Sequence, residues 1–92
     1  MEKYLLEARE INNGVQKLYK FENGFGASVV KHDYSYGGNK GLWELAVLEF
    51  DGEDWSLTYD TPITNDVIGH IEEEDLEGYL KHIKQLTPEG RE

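Results

Sequence analysis

The sequence predicts an α+β domain: an antiparallel meander sheet of about four strands, five if the amino-terminal segment joins it, packed on one C-terminal amphipathic helix. Three observations predict it. Turn signals punctuate the first half of the chain at Asn12-Asn13-Gly14, Asn23-Gly24 and Asp51-Gly52. Between them apolar residues alternate as side chains on a half-buried strand do. Beyond Pro62 the apolar spacing lengthens to about 3.6 residues, the period of a helix with one face on a core.

Residues 2–11 fit two states. Leu5, Ala8 and Arg9 suit a short helix, whereas the Asn-Asn-Gly turn that follows suits a strand paired with residues 15–22, and the strand is preferred. Residues 15–22 place Val15, Tyr19 and Phe21 on one face and Gln16, Lys20 and Glu22 on the other, with Lys17 and Leu18 as exceptions. After Asn23-Gly24 the alternation resumes at Phe25, Ala27 and Val29, so a hairpin is expected there. Leu45 to Leu48 are apolar without a break, which predicts a central strand over residues 42–50 with a helix on at least one side. The Asp51 to Asp54 turn leads into a strand over 55–59, half-buried through Trp55, Leu57 and Tyr59. Thr64, Asn65 and Asp66 offer capping side chains for a short helical turn ended by Gly69.

Leu76, Tyr79, Leu80, Ile83 and Leu86 then form the apolar stripe of a helix over residues 72–86. Its first turn carries Glu72, Glu73, Glu74 and Asp75 and its last Lys81, His82 and Lys84, the distribution a helix dipole favours. Pro88 and Gly90 close the helix and leave 87–92 as a frayed tail. Neither a repeat nor a linker divides the chain, so residues 1–92 are expected to form one domain.

The chain of 92 residues carries 19 acidic and 9 basic side chains, a formal charge of −10. Duplex nucleic acid and anionic bilayers both demand clustered Lys and Arg, so neither is expected as a direct partner. With 0 Cys there is no disulfide framework, zinc-thiolate site or thiol nucleophile. The opening Met-Glu-Lys-Tyr-Leu-Leu-Glu is charged where a signal peptide needs an apolar run, which predicts a cytoplasmic protein.

The stretches Asn23-Gly-Phe-Gly-Ala-Ser-Val-Val30, Ser35-Tyr-Gly37, Gly41-Leu-Trp-Glu-Leu-Ala-Val-Leu48 and Leu57-Thr-Tyr-Asp-Thr-Pro-Ile-Thr-Asn-Asp-Val-Ile-Gly69 together resemble a group of small phage- and prophage-encoded proteins. The resemblance covers the chain from about Leu18 onward, brings no catalytic residues with it, and implies a bacterial cytoplasm holding a phage genome.

Chemistry-bearing constellations are sparse. Asp75, Tyr79 and His82 share a helix face, but a carboxylate and one imidazole make an incomplete ligand set, so Tyr79 is expected inward with Asp75 and His82 flanking in water. His32-Asp33 with Ser28 and Ser35 has the residue types of a hydrolase triad without a nucleophile elbow. No catalytic residue, metal ligand or cofactor is therefore expected, and the protein is read as no enzyme. The turn residues Asp51, Glu53 and Asp54 lack the spacing of an EF-hand loop, which argues against calcium.

Two features remain as candidate binding determinants. The loop from Tyr34 to Trp43 lacks the Gly-Lys-Ser/Thr of a phosphate loop, and its glycines suit a plain connection with positive φ. It could also be a recognition loop in which Tyr34, Tyr36 and Trp43 hold a small ligand or a protein. The second feature is charge segregation. Residues 1–43 hold five acids and six bases, net +1, and residues 44–92 hold fourteen acids and three bases, net −11; the two sum to −10. Between Glu44 and Glu77 there are twelve carboxylates and no Lys or Arg. Asp51, Glu53, Asp54, Glu72, Glu73 and Glu74 accordingly predict contact with a basic partner, such as a host nucleic-acid-binding protein whose groove they would occlude. Monomer and homodimer are both compatible with the sequence.

Overall fold

The computed structural model describes residues 2–35, 37–58 and 67–86. It is α+β, with an antiparallel sheet and one helix packed on it. A 3-10 turn at Glu2–Tyr4 leads into β1 (Leu5–Ile11), followed by β2 (Gly14–Lys20) and β3 (Phe25–Lys31). After a second 3-10 turn at Gly38–Lys40 come β4 (Trp43–Asp51), β5 (Asp54–Leu57), β6 (Ile68–Ile71) and α1 (Glu73–Lys84). The amino-terminal segment is thus a strand, as its turn signal predicts, with a 3-10 turn ahead of it.

The strands lie in the order β1-β2-β3-β4-β5, each neighbour antiparallel, and β6 also pairs with β4. The sheet therefore has six strands where the sequence predicts about four or five. Strand β4 is long enough for two short strands to share one edge. β5 pairs with Leu48 to Asp51, and β6 pairs with Trp43 and Leu45. The turn expected to end at Gly69 is corrected here: Gly69 lies inside β6, and Thr64 to Asp66 fall outside the described residues, as do Tyr59 and the tail 87–92.

Two-residue turns join β1 to β2 and β4 to β5, and their chemistry matches their dihedrals. Asn12 and Asn13 have φ of 49° and 64°, the doubly left-handed conformation that matches strand twist and that Asn tolerates. Gly52, at φ 66°, opens the β4–β5 turn. Strand alternation then sorts the side chains. Tyr19, Phe25, Ala27, Val29, Trp43, Leu45 and Val47 face one way and join Phe21, Ile71, Leu76, Leu80, Ile83 and Leu86 in one apolar core. α1 lies over β3 and β4 and buries Leu76, Leu80 and Ile83 against that core. The helix stripe is as predicted, while the helix begins one residue later and ends two residues earlier than 72–86.

The opposite face is not simply polar. Leu18, Ala46 and Leu48 are buried there together with Gln16 and Ser28, which explains the unbroken apolar run of β4. Gln16 bridges its neighbours: Arg9 Nε donates to Gln16 Oε1 at 2.8 Å, and Gln16 Nε2 donates to Ser28 Oγ at 2.9 Å. This chain satisfies polar groups that burial would otherwise penalise. β5 departs from expectation, since all four of its residues are exposed, Trp55 at 38% and Leu57 at 42%. It occupies the sheet edge, and burial resumes at Thr58, whose N–H donates to the Val47 carbonyl at 2.9 Å.

Candidate protein-binding surface

The eight candidate positions among the described residues separate into two groups at opposite ends of β4. At the end where β4 begins, Ile71 of β6 pairs with Trp43, and α1 starts two residues later. Glu73 is thereby held above Trp43, whose indole Nε1–H donates to Glu73 Oε1 at 3.0 Å. Trp43 is only 3% exposed, and the ammonium groups of Lys31 and Lys17 lie 4.5 Å and 5.5 Å from its ring centre. Trp43 is therefore a core anchor for the helix start and does not present contact area.

The loop before it belongs to the same end. Gly37 packs against His70, and a Cβ at Gly38 would overlap the His32 carbonyl oxygen, so glycine is required where the loop folds back. The loop is a series of hydrogen-bonded turns: Ser35 N–H donates to the His32 carbonyl, Gly38 N–H to that of Ser35, and Gly41 N–H to that of Gly38. Tyr34 stands out from it, 81% exposed, its N–H donating to His32 Nδ1 at 3.0 Å. Tyr34 and Trp43 share no cleft, one being in solvent and the other beneath the helix; Tyr36 lies outside the described residues.

Around the helix start, Glu72, Glu73, Glu74 and Asp75 are all exposed, and Glu72 takes the cap position in extended conformation without a side-chain cap bond. The Glu74 carboxyl is raised above the usual carboxylate range, first by a hydrogen bond with the Glu72 carboxyl and then by its charge. Crowded like charges of this kind raise the local negative potential. Glu77 is paired instead with Lys81 at 3.6 Å, one helical turn on.

Asp51, Glu53 and Asp54 sit elsewhere. The eight residue steps of β4 place them about 27 Å from the Trp43 end. All three are exposed on the β4–β5 turn, where Lys20 Nζ donates to the Gly52 carbonyl at 3.0 Å and Asp51 opposes Asp54. The candidate carboxylates among the described residues thus form two groups and not one patch.

A cleft of about 200 Å³ between sheet and helix is lined by Glu2, Lys17, Tyr19, Glu73 and Glu77 among others. Burial raises the Tyr19 phenol above its ordinary value of 10.0, and the charges of Glu2 and Glu73 raise it further. Because the folded state disfavours the phenolate, Tyr19 adds stability below pH 10 that is lost as pH climbs through its folded value. Alkaline titration of tyrosinate absorbance is expected to show a late-ionising group that Tyr19→Phe removes. Identical late phases in both proteins would refute this.

The arrangements that resemble chemistry do not assemble it. Ser28 is engaged by Gln16, and the Ser35 hydroxyl donates to the His32 carbonyl, not to its imidazole. Asp33 accepts from Asn13 Nδ2. Tyr79 packs against the core while Asp75 and His82 are exposed, as expected. Among the described residues, no group of three or more His, Cys, Asp or Glu is arranged to hold a metal ion, and no helix is long and apolar enough to cross a membrane.

The determinant that sequence reasoning missed is Asn23. Its Nδ2 donates to the carbonyls of Ile83, Lys84 and Leu86 at 2.9, 3.0 and 2.8 Å, and its Oδ1 accepts the Phe25 N–H at 3.0 Å. It holds the end of α1, and so helps fix the position of the acidic first turn. The signal in the sequence, Asn-Gly, indicates a turn and says nothing of a distant helix. In comparisons with family models, curated proteins and solved structures, nothing matches this chain.

Proposed function

We propose that this domain is a non-catalytic protein-binding module that docks on a basic partner through the end of the sheet carrying Tyr34 and the first turn of α1. The observation that carries this reading is that the loop bearing the exposed Tyr34 and the helix start bearing Glu72, Glu74 and Asp75 lie at the same end of the sheet, and that none of these carboxylates makes an ion pair with a described residue. A rigid aromatic anchor gives contact energy, and the carboxylates steer a cationic surface toward it.

The partner class follows from the charge and from the resemblance to small phage- and prophage-encoded proteins. A basic groove built for phosphates would accept closely spaced carboxylates in their place, so the reading extends to occlusion of a host nucleic-acid-binding protein in a bacterial cytoplasm. The small-ligand alternative loses support because Tyr34 and Trp43 do not converge.

The test is affinity capture from bacterial lysate at low and high salt, with the Glu72→Gln, Glu73→Gln, Glu74→Gln, Asp75→Asn variant as comparison. A nucleic-acid-binding protein retained at low salt and released at high salt is expected, with its association slowed roughly 10-fold or more in the variant. Absence of such a partner, or capture indifferent to both salt and substitution, would overturn the proposal.

A further inference from the structure

We propose that the outer edge of β1 is a self-association surface, on which a second copy of this chain adds its own β1 antiparallel with the two-fold axis at Ala8. β1 ends the strand order and pairs with β2 alone among the described residues. Its residue side chains from Leu6 to Glu10 are all exposed, Leu6 by 55%, and the strand contains no proline. An edge of this kind offers a row of unused N–H and C=O groups to another strand.

The turn decides which groups those are. Asn12 and Asn13 form a two-residue loop that closes Ile11 against Gly14. In such hairpins the flanking residues form the hydrogen-bonded pair, so alternation turns the backbone groups of Glu10 and Ala8 outward.

Symmetry then restricts the register. Two identical antiparallel strands related by a two-fold axis normal to the sheet oppose residues on the same face, so the axis passes through a residue position. An axis at Glu7 sets two carboxylates directly opposite each other, and an axis at Arg9 sets two guanidinium groups opposite each other; both arrangements are destabilising. An axis at Ala8 sets each Glu7 opposite the second copy's Arg9, within the regular stretch of β1 from Glu7 to Ile11 that lies beyond the register shift between Leu5 and Glu7.

Within one chain Glu7 and Arg9 meet only loosely, with Arg9 Nη1 at 3.9 Å from Glu7 Oε2 and both side chains 51% exposed. Arg9 Nε is held by Gln16, which leaves the outer guanidinium nitrogens and the exposed Glu7 carboxylate as the groups that engage across the axis. The pairing would unite two sheets through one strand each, an interface below the roughly 1,600 Å² of a standard complex, so the association is weak and concentration-dependent. It uses none of the residues of the proposed docking surface and does not depend on the proposed partner.

Sedimentation equilibrium of the full chain from micromolar to millimolar concentration tests it. Wild type is expected to dimerise reversibly, Glu7→Arg and Arg9→Glu each to weaken the dimer by roughly 10-fold or more, and the double variant E7R/R9E to restore it. Because Arg9 also bonds Gln16, the fold of each variant is checked by its thermal melt. Concentration-dependent amide shifts in wild type, confined to residues 6–10, provide a reading independent of the variants. A monomer throughout the range, a dimer indifferent to the single reversals, or no recovery in the double variant would overturn the proposal.

Discussion

Leu80→Asp is expected to leave the chain without a cooperative thermal transition. Leu80 is 3% exposed at the middle of the helix stripe, in the same core as Phe25, Val29, Leu45 and Val47. Removing a buried leucine side chain typically costs about 2–5 kcal/mol through lost transfer energy and the cavity left behind. A carboxylate in its place adds the cost of a buried charge with no partner, since the neighbouring core residues are apolar. Natural domains are stable by roughly 5–15 kcal/mol, so the two costs together consume most or all of the margin. Circular dichroism on heating provides the measurement. A variant that melts like wild type would show that the stripe is not buried as described.

Asn23→Ala is expected to lower stability by about 1–3 kcal/mol, more than a surface turn residue normally contributes. The substitution removes the amide that serves the carbonyls of Ile83, Lys84 and Leu86, and it removes the acceptor of the Phe25 N–H. Terminal helix carbonyls have no partner within the helix, so their loss of this donor is not repaired locally. Asn23→Asp is the sharper test. It keeps the size and the Phe25 contact but points an oxygen at three carbonyl oxygens, and it places a negative charge at the negative end of the helix dipole. The order expected from urea titration is wild type, then Asn23→Ala, then Asn23→Asp. An Asp variant as stable as wild type would mean that Asn23 acts only as a turn residue.

These two positions differ in how far the sequence reveals them. Leu80 announces itself through spacing, because a helix with one buried face must repeat its apolar residues at that interval. Asn23 announces only half its role. Its partners at and just beyond the end of α1 are 60 to 63 residues away, and nothing local encodes that the β2–β3 turn meets the helix end.

The same contrast runs through the sheet. The hairpin at Asn23-Gly24 and the central strand β4 were legible because turn chemistry and an apolar run are local signals. β6 was not. Its Ile-Gly-His-Ile sequence contains a glycine and a histidine at φ 56°, and only the edge of β4 left free by the short β5 gives it a place to pair. β5 has the alternation of a half-buried strand, yet edge position leaves its side chains exposed.

The candidate surface divides likewise. The exposure of the Glu72 to Asp75 turn follows from an apolar stripe on the other face of the helix. Trp43 carries no such mark: an aromatic after a glycine-rich loop suits contact or core equally, and its pairing with Ile71 beneath Glu73 puts it in the core.

By itself, then, the amino-acid sequence determined the α+β class, the helix stripe, the tight turns and the confinement of the net negative charge to the second half of the chain, because periodicity, turn chemistry and charge are properties of neighbouring residues. The tertiary structure alone decided that the candidate carboxylates fall in two separate clusters, that Trp43 is buried, that Asn23 holds the helix end and that β1 pairs with β2 alone among the described residues. Each of these depends on which distant segments lie side by side, and that is set by packing the whole core at once.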